Sequence, residues 1–146
     1  MRNRNLADNA LISIIPPALT DASAVNSGWL SVQDAVRVFA IILLGATDIT
    51  VDAKIQQASD SAGTGAKDVT GAAITQFTAL NDNKFSTIDL ETALMDHHNG
   101  FNHIRLLVTA GDGTLGANLS AVVIRSIRRK PPTQVAAYLE AIRVAG

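Results

Sequence analysis

The stretch Ile49-Thr50-Val51-Asp52-Ala53-Lys54-Ile55-Gln56 alternates between apolar and polar residues at every position. Successive side chains of a β-strand point to opposite faces, so a period of two predicts a strand with one buried side and one solvent-facing side. The apolar side, which begins at Ile49, is expected to face a core. The polar side, which begins at Thr50, is expected to face water.

A second apolar run, from Ala35 to Leu44, lies just before this stretch. It is apolar at nearly every position, which favours a central strand covered on both faces. Other segments are rich in β-branched or alternating residues and are bounded by Gly, Asn or Asp. They are residues 69–80 (with a bulge near Gly71), 84–91, 103–109 and 119–127. Strands at this spacing predict an all-β protein, either an antiparallel sandwich or a barrel.

The two ends of the chain differ from its middle. Residues 1–9 are polar and predict an N-terminal arm, residues 10–130 form the predicted β-domain, and residues 131–146 form a separate C-terminal segment. Pro131 and Pro132 stop the last strand, because proline cannot donate a hydrogen bond to the ladder. Apolar residues at helical spacing follow, and they fit a short amphipathic helix or an extended arm. They are Val135, Tyr138, Leu139 and Ile142, with Thr133 placed as the N-cap.

Composition narrows the class of protein. The 146 residues are 47% hydrophobic and 17% charged, with a net charge of -1 and no Cys. The near-neutral charge argues against nucleic-acid binding, which needs clustered Lys and Arg. The longest apolar run, residues 38–46, is too short to span a bilayer. Because a soluble monomer commonly has roughly a quarter of its surface charged, this chain is expected to bury part of its outside in an oligomer or assembly.

A glycine-rich segment has the letters of a dinucleotide site. Gly111-Asp112-Gly113-Thr114-Leu115-Gly116 matches G-x-G-x-x-G and follows a predicted strand. In a dinucleotide site a helix begins at this point, so that its N–H groups meet the pyrophosphate. The residues that follow are strand-like. We therefore interpret the segment as a hairpin loop between two strands.

The remaining chemistry-bearing residues do not form a recognisable site. His97, His98 and His103 lie close together, but a metal site needs side chains that converge. The first two would point to opposite faces of a strand, so a solvated turn is expected. The sequence also lacks a nucleophile elbow and an isolated pair of carboxylates. It therefore predicts no enzyme activity, no metal, no cofactor and no small-molecule substrate.

A basic cluster lies near the end of the last predicted strand, at Arg125, Arg128, Arg129 and Lys130. Two interpretations of this cluster are open. It is either a solvated strand end or a salt-bridging contact with an acidic partner surface. No aromatic residues alternate with these charges, which argues against stacking on single-stranded nucleic acid.

Several parts of the chain together resemble a known family. They are Met1-Arg2-Asn3-Arg4, the strand 35–44, the segment from Asp48-Ile49-Thr50-Val51-Asp52 to Lys67-Asp68-Val69, Phe101-Asn102-His103-Ile104-Arg105-Leu106-Leu107-Val108-Thr109 and Ala121-Val122-Val123-Ile124. Through them, residues 1–130 resemble the small head decoration (cement) proteins of tailed bacteriophages, which are encoded beside the major capsid protein.

The resemblance implies an antiparallel, jelly-roll-like β-sandwich that docks as a homotrimer on the major capsid protein of the assembled head and stabilises contacts between capsomers. It implies synthesis in the host cytoplasm and a place on the virion surface. An arm reaching to about residue 15 would become ordered only on docking, by adding a strand to a capsid edge. The expected partner-binding residues are Arg2, Arg4, Leu6, Leu11, Ile12, Arg125, Arg128 and Arg129.

Two other functions remain open at this point. One is a different virion role, as a head–tail joining, tail or fibre-base subunit. The other is a carbohydrate-binding module on a surface, which usually presents exposed aromatic rings for sugar stacking. Trp29, Tyr138 and four Phe offer few candidates for that role.

Overall fold

Nine β-strands account for most of the described chain. The structure is a computed structural model that describes residues 10–127. The strands are β1 (Ala10–Thr20), β2 (Ala24–Asn26), β3 (Leu30–Ser31), β4 (Ala35–Thr47), β5 (Val51–Ala58), β6 (Lys67–Ala73), β7 (Phe85–Glu91), β8 (His103–Ala110) and β9 (Ala117–Ile127). Two single-turn 3₁₀ helices, Thr92–Leu94 and His97–Asn99, connect β7 to β8.

The strands form two antiparallel sheets. The first sheet has the order β1-β9-β4-β7, and the second has the order β2-β8-β5-β6, with β3 also paired to β8. The chain crosses between the sheets after β1, β3, β4, β6, β7 and β8. Each sheet has four strand positions, since β2 and β3 both pair with β8. Two such sheets linked by repeated crossings of the chain form a jelly roll. The prediction of an all-β, jelly-roll-like antiparallel sandwich is confirmed.

The core consists of alternate residues from the central strands of both sheets. The alternation predicted for 49–56 is confirmed, because the apolar residues from Ile49 to Ile55 are buried and the polar ones between them reach the surface. The largest fully buried side chains are Val32, Val38, Ile42, Val51, Ile55, Ile104, Leu106, Val108 and Val123. Fully burying a side chain of this size stabilises the fold by about 1.5–3 kcal/mol.

The prediction that the run 35–44 is covered on both faces is wrong. The inward side chains of β4 are buried, but Phe39 and Ile41 between them are only half-buried, and Leu43 is 43% exposed. The second sheet covers only the inner side of the first sheet. The apolar residues on the outer side of β4 therefore lie at the surface of the described chain.

The N-terminal strand also differs from expectation. Residues 10–15, which the docking-arm hypothesis left without structure in the free protein, lie in β1 and pair with β9. Pro16 and Pro17 fall in β1 where the register shifts, between Ile15 and Ala18. The edge strand tolerates them because the register shift leaves both prolines without a paired residue on β9, so the ladder needs no N–H from either. The predicted arm (1–9) and C-terminal helix or arm (131–146) lie outside the described residues.

The segment predicted over 69–80 is shorter in the structure. Strand β6 ends at Ala73, and the chain from there to β7 is a loop with a single bridge, between Phe77 and Val51. The predicted bulge is confirmed, because the β5–β6 register shifts beside Gly71. That residue has a φ of 81°, a conformation that glycine adopts without strain.

The glycine-rich segment 111–116 joins β8 in one sheet to β9 in the other, so it is a connection between sheets and not a hairpin. The Asp48 carboxylate accepts hydrogen bonds from the backbone N–H groups of Thr114, Leu115 and Gly116, at 2.9–3.0 Å. A Cβ at Gly113 would lie 2.1 Å from the Ile49 side chain. The glycines therefore let the loop close around the protein's own carboxylate, where a dinucleotide site would hold phosphate.

These three hydrogen bonds should make stability depend on pH. They stabilise the charged carboxylate and hold the pKa of Asp48 below its ordinary value of 3.8. We expect Asp48→Asn to lower the free energy of unfolding at pH 7. The difference from the wild-type chain should shrink as the pH falls below about 4, because protonation removes the same interaction. Urea unfolding at pH 7 and at about pH 3 measures both quantities.

The exposed Asp112 in the same loop provides the matched control. Asp112→Asn should leave the unfolding free energy close to that of wild type at both pH values. Equal effects of the two substitutions at pH 7 would contradict the role assigned to Asp48.

Candidate docking face

Apolar side chains from β1, β9, β4 and β7 lie next to one another on the outer side of the first sheet, with Ser120, Thr87 and Asp89 as their polar neighbours. Neighbouring strands align Ile14 with Val122 and Val122 with Ile41. The same registers place Leu43 of β4 opposite Phe85 of β7. We call this surface the apolar face. Its members are Ile12, Ile14, Phe39, Ile41, Leu43, Phe85, Val122 and Ile124.

The apolar face is exposed at both edges and partly covered in the middle. Ile14 is 41% exposed and Phe85 is 66% exposed, whereas Ile41 and Val122 are half-buried by cross-strand neighbours. Single exposed apolar residues are ordinary on a protein surface. A contiguous set on one sheet marks an interaction surface or an aggregation risk.

Charged residues close one end of the apolar face. Arg37 Nε lies 2.6 Å from Asp89 and its Nη1 lies 3.1 Å from Glu91. The hydrogen bond and charge of Asp89 raise the pKa of Arg37. All three side chains are about half exposed, so the ion pairs add little stability. Their effect is to limit the apolar surface at this end.

A shallow depression lies at the other end of the apolar face. Pro17, Leu19, Leu43 and Gly45 line it together with the start of β9. Leu19 is 62% exposed. Leu19, which pairs with Asn118 of β9, thus extends the apolar surface past the register shift in β1.

The outer side of the second sheet is different in character. Lys54 and Gln56 on β5 both donate to the Asp68 carboxylate at 2.8 Å. The hydrogen bonds and positive charge lower the pKa of Asp68. Arg105 on β8 donates to Gln56 Oε1 at 2.7 and 2.9 Å. This side of the sandwich is suited to water because its polar groups pair with one another.

Two aromatic rings lie beside this polar network. The Arg105 guanidinium lies 4.7 Å from the centre of the Trp29 ring, and Lys67 Nζ lies 4.2 Å from the centre of the Phe101 ring. A Cβ at Gly63 would lie 2.4 Å from Trp29 Nε1, so the loop backbone also packs closely against the indole. Each ring therefore has one face covered by a cation, and that face is closed to sugar stacking.

The structure separates the residues that the sequence grouped as partner-binding. Leu11 and Ile12 lie in β1, both half-buried, and the register places Ile12 on the apolar face. Arg2, Arg4, Leu6, Arg128 and Arg129 lie outside the described residues.

Arg125 is not part of an exposed cluster, and the prediction of a surface contact is wrong for this residue. Only 5% of it is exposed. Its guanidinium donates to the Ser31 carbonyl oxygen at 2.8 Å and to Ser13 Oγ at 3.4 Å. Burial lowers the pKa of Arg125 to about 10. The side chain points inward because it shares the alternation of Leu119 and Val123.

Sequence reasoning missed the outward residues of β4 and β7 as functional candidates. The signal was present in the two-sided apolar run 35–44. That run predicts burial between two layers, but one of its sides has no covering layer in the described chain.

The histidines lie apart from the apolar face. His97 Nε2 is 2.7 Å from the Thr92 carbonyl oxygen, His98 is exposed, and His103 contacts Asn102. Among residues 10–127, no three acidic or imidazole side chains come close enough together to bind a metal ion. Neither of the short helices in this range has the length or hydrophobicity of a membrane-spanning segment.

Comparison with known proteins assigns the chain to no family. No protein-family model matches the chain. No curated protein matches it either. Among solved structures, it is similar to the N-terminal cellulose-binding domain of β-1,4-glucanase C from Cellulomonas fimi, at 13% identity and a TM-score of 0.37. The alignment covers 86% of this chain and 81% of that domain.

Proposed function

We propose that this chain is a non-catalytic structural subunit that docks on other proteins through the apolar face. The most specific form of the proposal is a decoration protein on the outer surface of a tailed-phage head, bound to the major capsid protein as a homotrimer. It would be made in the host cytoplasm and become part of the virion. The observation that supports docking most strongly is the set of neighbouring apolar side chains at the surface of one sheet, in which Ile14, Val122 and Ile41 form one row and the Leu43–Phe85 pair lies beside it.

The size of the apolar face indicates how such docking would work. Four strands about 4.8 Å apart, over at most about five residues of a strand, give roughly 300 Å². A stable interface buries about 800 Å² on each partner. One apolar face therefore provides roughly a third of one side of a stable contact. Several such contacts per trimer, together with the arm, would reach high avidity without a strong single site.

The two alternatives differ in how well the surfaces support them. A head–tail joining, tail or fibre-base subunit would use the same apolar face, so only its place in the particle distinguishes it. A carbohydrate-binding module would use bare aromatic rings. The cations over Trp29 and Phe101 argue against the use of those two rings, so such a module would have to use the exposed Phe85 of the apolar face.

The proposal predicts the position and copy number of the chain in particles. Purified protein mixed with heads of the phage that encodes it, prepared without this chain, should sediment with the heads. Cryo-electron microscopy should then show trimers spread over the whole shell. Six or twelve copies at one vertex would select the joining role, and absence from the heads and from complete virions would contradict both virion roles.

The apolar face should be required for binding. We expect Leu43→Glu and Phe85→Ser, separately and together, to weaken head binding by about tenfold or more, since each removes apolar area worth at least about 1.4 kcal/mol. Both side chains are exposed, so the melting temperature should change little. Co-sedimentation and thermal denaturation measure the two quantities.

The exposed Thr109, which points outward from the second sheet, is the matched control position. Thr109→Lys, which places a positive charge opposite Asp52 of β5, should leave head binding and folding unchanged. If it weakened binding as much as Leu43→Glu, the second sheet would be the contact surface and the apolar face would not.

The N-terminal arm gives an independent prediction. Deletion of residues 1–9 should leave a folded protein, because the strand β1 begins at Ala10 and pairs with β9 along its length. We expect the shortened chain to lose head binding. Circular dichroism and co-sedimentation test the two parts, and full binding by the shortened chain would show that the arm does not contribute.

A further inference from the structure

The second 3₁₀ helix ends in the only Asn-Gly pair of the sequence. Asn99 is the last residue of the helix His97–Asn99, and Gly100 follows it. Every other asparagine of the chain precedes a residue that carries a side chain. In an Asn-Gly pair the backbone nitrogen of the glycine can approach the carboxamide carbon of the asparagine, because no Cβ obstructs the attack. This pair is therefore the position of the chain most open to attack on a side-chain amide.

The turn that contains this pair contributes no buried side chain. We call the residues from His97 to Gly100 the Asn99 turn, and all of them are exposed. Its closing hydrogen bonds run from the N–H groups of Asn99 and Gly100 to the carbonyl oxygens of Asp96 and His97, at 3.1 and 3.0 Å. A segment with exposed hydrogen bonds and little buried apolar surface opens locally at a small cost in free energy. Opening frees the Gly100 nitrogen and admits water.

The Asn99 carboxamide holds this turn to a carboxylate. Its Nδ2 donates to Asp96 Oδ1 at 2.8 Å, and Lys67 forms an ion pair with Asp96 Oδ2. The hydrogen bonds from Lys67 and Asn99 lower the pKa of Asp96. The Asp96 N–H donates to Gln57 Oε1 at 2.9 Å, and its carbonyl oxygen accepts from the Phe101 N–H at 3.2 Å. Asp96 thus joins the Asn99 turn to β5 and β6.

We propose that Asn99 is a site of spontaneous deamidation, and that its conversion to a carboxylate detaches the Asn99 turn from Asp96. The Gly100 nitrogen loses its proton to water and bonds to Asn99 Cγ, while the side-chain amino group takes up a proton and leaves as ammonia. The product is a cyclic succinimide. Water then adds to one of its two carbonyl carbons and opens the ring, which leaves aspartate or isoaspartate at position 99. The net reaction consumes water and releases ammonia.

The reaction replaces a hydrogen-bond donor beside Asp96 with a negative charge. A carboxylate cannot donate, so the bond from Asn99 gives way to repulsion between two acidic groups. Isoaspartate also lengthens the main chain by one methylene, which disrupts the spacing of the 3₁₀ hydrogen bonds. Because the groups are exposed, the effect on the whole fold is small and the effect on the turn is large. This inference concerns the free chain and does not depend on the proposed function.

Mass spectrometry of the ageing protein tests the first part of the proposal. The full-length chain is kept at about pH 8, since loss of the amide proton begins the reaction, and then digested. We expect the peptide that contains Asn99 to gain the mass of an amide-to-acid exchange at least about tenfold faster than the peptides of the exposed Asn26 and Asn118. Asn99→Gln should abolish this gain, because its longer side chain would have to close a larger ring.

The same measurement in urea separates the role of the turn from that of the Asn-Gly pair alone. If the Asn99 turn opens readily, the folded protein should react at a rate within about tenfold of that of the unfolded chain. A reaction confined to the unfolded chain would overturn the proposal. So would a mass gain at Asn99 that is no faster than the gain at Asn26 and Asn118.

The variant Asn99→Asp tests the second part without ageing. At pH 7, hydrogen–deuterium exchange at residues 97–101 should be faster than in the wild-type chain. The difference should shrink below about pH 4, because protonation of the carboxylates removes their repulsion. Asn118→Asp, which makes the same change at an exposed position of β9, is the matched control and should leave exchange at 97–101 unaltered. Wild-type exchange in Asn99→Asp at pH 7 would overturn the second part, whatever the mass measurement shows for the first.

Discussion

A two-layer sandwich can bury only one side of each strand, and the remaining features of this molecule follow from that limit. The inward residues of β4, β5 and β8 fill the space between the sheets and are nearly inaccessible to solvent. A strand that is apolar on both sides, as β4 is, must therefore expose one of them or receive cover from elsewhere. On β4 the outward residues that stay half-buried or exposed for this reason are Phe39, Ile41 and Leu43.

The outer sides of the two sheets differ in polarity. On the second sheet, Lys54, Asp68 and Arg105 take part in one hydrogen-bonded network, which is compatible with water. On the first sheet many outward residues are aliphatic or aromatic, with polar ones such as Thr87 and Ser120 among them, and the charges of Arg37, Asp89 and Glu91 stand at one end. This asymmetry is the physical basis for assigning contact to one sheet and solvent to the other.

The buried Arg125 shows what the alternation of side chains along a strand can predict and what it cannot. Arg125 follows the same alternation as Leu119 and Val123, and it is buried with them although it is charged. Its hydrogen bonds to Ser31 and Ser13 lie where the edges of the two sheets approach each other. Alternation along β9 could have predicted the inward direction, but no local pattern could have supplied the partners, which are 94 and 112 residues away.

The sequence by itself determined the all-β class, most of the strands and the inward side of β5, because alternation and turn residues are local properties. It did not determine which strands become neighbours or which apolar sides remain uncovered. Those features depend on pairings between distant segments, such as β1 with β9 and β4 with β7. Only the tertiary structure could therefore distinguish the apolar face from the core, since both consist of the same residue types.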